Sequence, residues 1–535
     1  MRRKSTLLSI PGVTALLFLV MHLVAIIVYS AKATNAVDRI VPGNEYLNMW
    51  INVVGFVVVL QALFVVSREY SATRVLHSPI VWIAYSLFVV ICTIMVFAAY
   101  MSIKEYGTAV WALTWLGGGL ICLIYSMRAR RGYFVDSIMD IPHHRLIAEK
   151  SAADDLCCML LDTVFFAVSL LFIFIFVFFL AFQGIWLASD RHNYTAPGSL
   201  VDVSVNGTGS YAFHVHCVGP TDSDKPTYVI SNDEGNPLTT LVALQSSLSN
   251  RNRRVCLYDR PGYGWSEPGY VVQTPAYVVH SLKQALDSVK EKSPYIMLGY
   301  GAGGEYAQLF THIYPTFVSG VGLIDSYPNK DFLYAYAMNE TSSDIYDDVT
   351  ASNSHYYQSR RVISPLGWQR PIENDFPGFQ PSDRLTEHIS LHSTNNHWQA
   401  RYFEYDGCGC RGYQALQSFR DQNTTTYLRI KDWPLTWPAL PKPLPADPPS
   451  PDLPLLVVAA NQTIDHLCNA SAEDSEGYQC RVTQAQQNVL RRQRDLYVET
   501  LSQNVRSVVC PDGCDHNLVY TSADWLSNEI VKWFQ

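Results

Sequence analysis

Residues Tyr295–Phe310, YIMLGYGAGGEYAQLF, read as a buried strand, a tight glycine-rich turn and a helix. Gly299 and Gly303 stand in the flanking places of a G-x-S-x-G nucleophile turn. The centre of that pattern, where a serine hydroxyl attacks an acyl carbon, is Gly301. Glycine brings no hydroxyl, thiol or carboxylate, so no acyl-enzyme forms at this position. It does accept the positive φ that such a turn imposes, so the backbone survives the loss.

The elements around this turn are short apolar strands separated by helices. LVDVSV (Leu200–Val205) and YAFHVHC (Tyr211–Cys217) read as a hairpin turning at Asn206-Gly207. TYVIS (Thr227–Ser231), VCLYD (Val255–Asp259), YIMLGY (Tyr295–Tyr300), VGLID (Val321–Asp325), PLLVVAA (Pro454–Ala460) and VRSVVC (Val505–Cys510) follow. Helical patterns lie at Tyr277–Lys290, Glu305–Tyr314, Thr483–Thr500 and Ala523–Phe534. This alternation implies a mostly parallel α/β sheet.

Three motifs narrow the class. VCLYDRPGYGWSEPG (Val255–Gly269) carries an Asp-Arg-x-Gly-x-Gly-x-Ser run after a strand. GYGAGG (Gly299–Gly304) forms the turn described above, and GCDHNLVYTSADWLSNEIVKWF (Gly513–Phe534) sets a histidine before a closing helix. In order and spacing they resemble the α/β-hydrolase superfamily over roughly residues 200–535, nearest its lipase, esterase and epoxide-hydrolase-like branch. The resemblance implies that His516 takes the catalytic-histidine position. It implies an orienting acid, for which Asp465 comes first, with Asp474 and Asp325 as alternatives. It also implies oxyanion donors at Ala302 and in SNDEGNP (Ser231–Pro237), around Asn232. Asp233 and Glu234 in that loop put negative charge where an oxyanion would develop; the alternative is that both face solvent. The stretch from about residue 329 to 453 is implied to be a lid, ending in a proline-rich strap at Trp433–Pro454.

The first 190 residues differ in kind. Five apolar runs, roughly 8–30, 49–67, 78–100, 107–127 and 159–187, have the length and composition of membrane spans. SAKA at Ser30–Ala33 resembles a cleavage site, but the first run is long, and an uncleaved signal anchor is expected. Arg2, Arg3 and Lys4, then Arg68 and Arg74, then Arg128, Arg130, Arg131, Arg145 and Lys150 mark the cytoplasmic side. Residues 191–535 then form an extracytoplasmic domain. Sequons at Asn193, Asn206, Asn339, Asn423, Asn461 and Asn469 all follow the last run. A glycan on Asn461 would crowd the entrance beside Asp465. Eight of twelve cysteines also lie there, and Cys468 with Cys480 and Cys510 with Cys514 are close enough in sequence to pair.

His22, Asn52, Gln61 and Asp162 interrupt the apolar runs, and their main reading is structural. Gly117–Gly119 permits close helix approach, to a partner or within the chain. The formal net charge of −8 and the absence of basic patches in the C-terminal part argue against nucleic acid. No cofactor or metal is expected. The expected location is a secretory-pathway or plasma membrane, with the mitochondrial inner membrane as the alternative. The expectation is a polytopic membrane protein whose α/β-hydrolase-fold domain is an inactive binding or scaffolding module, for a protein partner or an apolar small ligand under the lid. The alternative is an active ester or lipid hydrolase with a non-standard nucleophile.

Overall fold

The computed structural model describes residues 10–34, 45–67, 79–102, 106–124, 152–204, 210–221, 224–269, 275–326, 356–368, 370, 379–407, 452–460, 502–511 and 514–535. Asp465, Asp474, the sequon residues Asn206, Asn339, Asn423, Asn461 and Asn469, the Cys468–Cys480 pair, the helical pattern Thr483–Thr500 and most of the proline-rich strap lie outside the described residues. The chain divides into two compact units.

The first unit contains helices α1 (Ile10–Thr34), α2 (Glu45–Ser67), α3 (Pro79–Ser102), α4 (Tyr106–Leu113, continuing to residue 124) and α5 (Ala152–Asn193). Each contributes a stretch long and apolar enough to cross a membrane: Val13–Ala31, Glu45–Leu63, Ile83–Met101, Tyr106–Ile124 and Thr163–Asn193. Leu16, Leu17, Val20, Val24 and Ile27 of α1 are exposed, as an apolar solvent allows. His22, Asn52 and Gln61 face inward and find partners, while the side chain of Asp162 lies outside the described residues. His22 Nδ1 meets Asn52 Oδ1 at 2.8 Å, and Gln61 donates to Ser169 on α5. A Cβ on Gly117, Gly118 or Gly119 would meet Phe18, Val58 or Val89, so these glycines seat neighbouring helices of the same chain. The short segment Val362–Trp368 also belongs to this unit, not with the rest of the stretch read as a lid. Trp50 donates its indole N–H to the Val362 carbonyl at 2.7 Å, and Trp368 stands 5.5 Å from Phe179 between ring centroids.

The second unit is built on one eight-stranded sheet. Its strands are β1 (Ser199–Val203), β2 (Tyr211–Val218), β3 (Thr227–Ser231), β4 (Val255–Asp259), β5 (Tyr295–Tyr300), β6 (Val318–Ile324), β7 (Leu455–Ala459) and β8 (Val505–Val509). Their order is β1-β2-β4-β3-β5-β6-β7-β8. β2 runs antiparallel to β1 and β4, and every later pairing is parallel. β3, β4 and β5 are buried throughout, which is why each reads as an unbroken apolar run. Helices cover both faces. On one, α7 (Pro275–Ser288) and α8 (Gly303–Ile313) insert Val278, Leu282, Leu309 and Phe310. On the other, α6 (Val242–Asn250) and the C-terminal Ala523–Trp533 helix insert Leu244, Leu248, Leu526 and Ile530.

Among the described residues, this unit has two disulfides. Cys510 pairs with Cys514, as their spacing allows, and Cys217 pairs with Cys256. The second pair follows from register, because Cys217 on β2 stands opposite Cys256 on β4. Glu291 lies near these two sulfurs, but they are joined to each other and Glu291 binds Arg254, so the group offers no metal-ligand set.

Candidate functional site

Parallel strands deliver their carboxyl ends to one edge of the sheet, and ligand sites in α/β folds gather there. β3 and β6 flank β5 directly, so the residues after Ser231, Tyr300 and Ile324 converge. Gly301 follows β5 with φ +53°, the left-handed conformation that a side chain resists. Gly303 opens α8 against the Ser231 carbonyl, where a Cβ would collide with backbone. The turn is therefore a tight strand-to-helix elbow.

What stands over the elbow comes from β3. A Cβ built on Gly301 would fall inside the van der Waals envelope of the Asp233 carboxyl group. Asp233 Oδ1 accepts the Ala302 backbone N–H at 2.7 Å. Its Oδ2 lies 3.1 Å from His516 Nε2. The carboxyl group thus fills the space beside Gly301 and occupies the backbone donor that follows it.

His516 Nδ1 meets Asp325 Oδ2 at 2.6 Å, and Tyr300 stacks on the imidazole at 4.8 Å. Asp325 caps β6 with φ +42°, a conformation costing on the order of 1–3 kcal/mol for a residue with a side chain. Neighbouring strand β7 holds it there: Asp325 N–H donates to Val458 O at 2.7 Å, and Asp325 Oδ1 accepts Ala460 N–H at 3.0 Å. Of the three candidate acids, Asp325 is the one the described residues bring to His516. The sheet order β5-β6-β7 is the reason.

Two carboxylates therefore share one imidazole. Burial alone would lower the His516 pKa, but hydrogen bonds and charge from Asp233 and Asp325 outweigh it and push it up to about 10. The side chain is 38% exposed, so water screens part of this effect, while the upward direction follows from the two carboxylates. Burial would raise the Asp233 carboxyl; the hydrogen bond and charge of His516 and the N–H of Ala302 overcome that and hold it below the usual range. Both carboxylates favour the imidazolium form of the ring, a poor state for accepting a proton.

The Asp-Arg-x-Gly-x-Gly run supplies the support. Arg260 donates to the Asn232 carbonyl at 2.7 Å, the Asp233 carbonyl at 2.8 Å and Glu404 Oε2 at 3.2 Å. Glu404 also accepts the hydroxyls of Tyr263 at 2.5 Å and Tyr306 at 2.7 Å. Asp259 accepts the Leu238 N–H at 2.8 Å. The β3 loop is thus held from both sides, and Asp233 sits on a fixed backbone. Asn232 turns its amide into the loop, donating to Pro237 O at 2.7 Å and accepting Asp233 N–H at 2.9 Å. Its side chain is not aimed at the elbow. The sequence puts the charge of Asp233 either where an oxyanion would develop or in solvent, and its contact with the Ala302 N–H is the first of these. The usable signal was an acidic residue in the loop after the third strand together with an elbow lacking its side chain.

The sheet order and the crossing helices define an α/β-hydrolase-like domain, accompanied by a cluster of five apolar helices. No family model matches the chain. An uncharacterised protein of Schizosaccharomyces pombe is 25% identical over 119 residues, covering 22% of this chain and 19% of that protein. An uncharacterised vacuolar membrane protein of Saccharomyces cerevisiae is 27% identical over 147 residues, covering 25% of this chain and 23% of that protein. The chain spans about a fifth to a quarter of the length of these relatives. Among solved structures, the Cif epoxide hydrolase from Acinetobacter nosocomialis aligns with TM-score 0.44 and 12% identity, covering 66% of this chain and 96% of that one. A probable hydrolytic enzyme from Pseudomonas aeruginosa aligns with TM-score 0.42 and 13% identity, covering 64% and 95%. The fold assignment rests on the topology of the sheet itself.

Proposed function

We propose that this chain is a polytopic membrane protein whose α/β-hydrolase-fold domain stands outside the cytoplasm as a catalytically inactive binding or scaffolding module. The observation that carries the reading is the Asp233 carboxyl group in the space beside Gly301, engaged with the Ala302 N–H. An acyl-transfer site needs a nucleophile and a vacant oxyanion donor at that point. Here glycine takes the nucleophile place of the elbow, and the donor already holds an anion. His516 is held by two carboxylates that favour its charged form, which opposes its service as a base. Five apolar helices and yeast relatives named vacuolar membrane proteins support the membrane location. The basic residues of the loops and the sequons favour a lumenal or extracellular C-terminal domain, and the sequon at Asn193 lies in an exposed position.

The test is labelling of the purified full chain with a fluorophosphonate, which reports an activated hydroxyl. The native chain is expected to remain unlabelled. Labelling that His516→Ala abolishes would sink the inactive reading.

One geometric fact favours a second reading, an active ester hydrolase. Asp233 Oδ2 lies 3.1 Å from His516 Nε2, the relation of a nucleophile to its histidine. Asp233 Oδ2 would attack an ester carbonyl, the alcohol would leave with the His516 proton, and water would hydrolyse the mixed anhydride. The readout is an acyl adduct on the peptide carrying Asp233, sought by mass measurement after rapid denaturing quench. Its appearance with a short-chain ester would replace the inactive reading.

A further inference from the structure

The atoms around Gly301 form a carboxylate site that happens to hold a carboxylate of the chain itself. One face is the Ala302 N–H at the start of α8, 2.7 Å from Asp233 Oδ1. The other is His516 Nε2, 3.1 Å from Asp233 Oδ2. Behind the imidazole, Asp325 at 2.6 Å keeps the ring positively charged and oriented. The floor is Gly301, whose missing Cβ leaves the room that a carboxyl group occupies. A backbone donor, an oriented imidazolium and a glycine floor bind any carboxylate of similar shape. Asp233 has the advantage of being tethered.

We propose that Asp233 is an internal ligand of this site, and that an external organic carboxylate takes the same position when the Asp233 side chain leaves it. The proposal rests on the inactive reading of the elbow and names its ligand class and its control. With its backbone fixed, the exchange requires rotation of the Asp233 side chain alone. Arg260 holds the Asn232 and Asp233 carbonyls, and Asn232 Oδ1 accepts the Asp233 N–H. An arriving carboxylate competes with the Asp233 carboxylate, which also accepts the Glu234 N–H, for the Ala302 N–H and His516, so occupancy is competitive. The external ligand must add contacts beyond its carboxylate, since a tethered group carries a high effective concentration.

The experiment uses the full chain in detergent, with Asp233→Ala, Asp233→Asn and Asp233→Ala/His516→Gln, and acetate as the probe against chloride at matched ionic strength. Asp233→Ala vacates the site, and its apparent Tm is expected to fall by a few degrees. Acetate is expected to restore at least half of that loss, and chloride none. Asp233→Asn, whose amide still fills the space, is expected to ignore acetate, as are the native chain and the double variant. Absence of an acetate-specific recovery in Asp233→Ala, or an equal recovery in the double variant, overturns the proposal. Should Asp233→Ala fold poorly, expression with acetate in the medium becomes the readout. A folded chain obtained only with acetate supports the proposal, and no gain with acetate overturns it. The two readings fail separately: fluorophosphonate labelling of the native chain removes the inactive reading, whereas missing acetate rescue removes only the internal ligand.

Discussion

Two histidine–aspartate pairs lie in the same domain and differ in what their second ring nitrogen meets. His214 Nδ1 binds Asp259 Oδ2 at 2.7 Å, and both side chains are wholly buried. Its Nε2 ends on the Pro197 carbonyl. His516 Nδ1 binds Asp325 Oδ2 at 2.6 Å, but its Nε2 ends on a second carboxylate, and its side chain is partly exposed. The first pair is closed and anchors the Asp-Arg-x-Gly-x-Gly loop; Asp259 also accepts the Trp265 N–H at 3.2 Å. The second is open to solvent at a strand-end edge, where its outer partner can be exchanged. A histidine–aspartate contact therefore does not by itself mark chemistry. The atom beyond the histidine decides.

The largest effect should come from rebuilding that atom. Gly301→Ser alone places its side chain against Asp233 and should label poorly with a fluorophosphonate. Gly301→Ser/Asp233→Gly frees the space, the Ala302 N–H and His516. It should label on the order of 100-fold faster, the lower range for general-base assistance. His516→Ala in that background should remove the gain. Equal labelling of single and double variants would show that Asp233 does not obstruct the elbow.

Among the effects on stability, the largest belongs to the closed pair. His214→Ala strands a buried Asp259 and should cost about 3–5 kcal/mol in urea unfolding of the domain. A loss below ~1 kcal/mol would show that Asp259 is carried by its backbone donors instead.

A third group of histidines runs with the opposite pH sign. Burial lowers the pKa of His388 to about 3 and lowers His392 and His397 as well. Their contribution to stability is complete above 6.5, the ordinary value, and falls as pH drops below it. The slope should reach about 1.4 kcal/mol per pH unit for each histidine. Unfolding of His397→Phe between pH 6.5 and 4.5 should show one proton less of acid sensitivity than the native chain.

The smallest effect belongs to the open pair. His516→Ala should cost about 1 kcal/mol, because exposure screens the contacts it loses. The folded pKa of His516 is raised, so this contribution is complete below 6.5 and is lost as pH climbs above it. Asp233 has a lowered pKa, so its share is present above 3.8 and is lost as pH falls through its lower folded value. The gap between native and His516→Ala stability should therefore narrow on the alkaline side. A gap that widens there would contradict the imidazolium.

Much of the fold was legible because it rests on local patterns. TYVIS, VCLYD and YIMLGY coincide with β3, β4 and β5, since strands buried on both faces must be apolar at every position. The apolar runs coincide with the five long helices to within a few residues at most ends. The elbow was readable because its glycines serve a turn that begins and ends within six residues, Gly299–Gly304. The site was only half legible. Asp233 and Ala302 are 69 positions apart and Asp325 and His516 are 191 apart, so their meeting depends on strand order. The Cys217–Cys256 pair needed the β2–β4 register, and the place of Val362–Trp368 needed packing against α2 and α5.

By itself, then, the sequence determined a chain of five membrane-length apolar helices and an α/β sheet, with glycine at the elbow. Side-chain periodicity and backbone conformation are properties of neighbouring residues, and they suffice for those conclusions. Only the tertiary structure decided that Asp325 orients His516 and that Asp233 fills the space beside Gly301. Both contacts arise where β3, β5 and β6 end side by side, a proximity set by sheet order and not by distance along the chain.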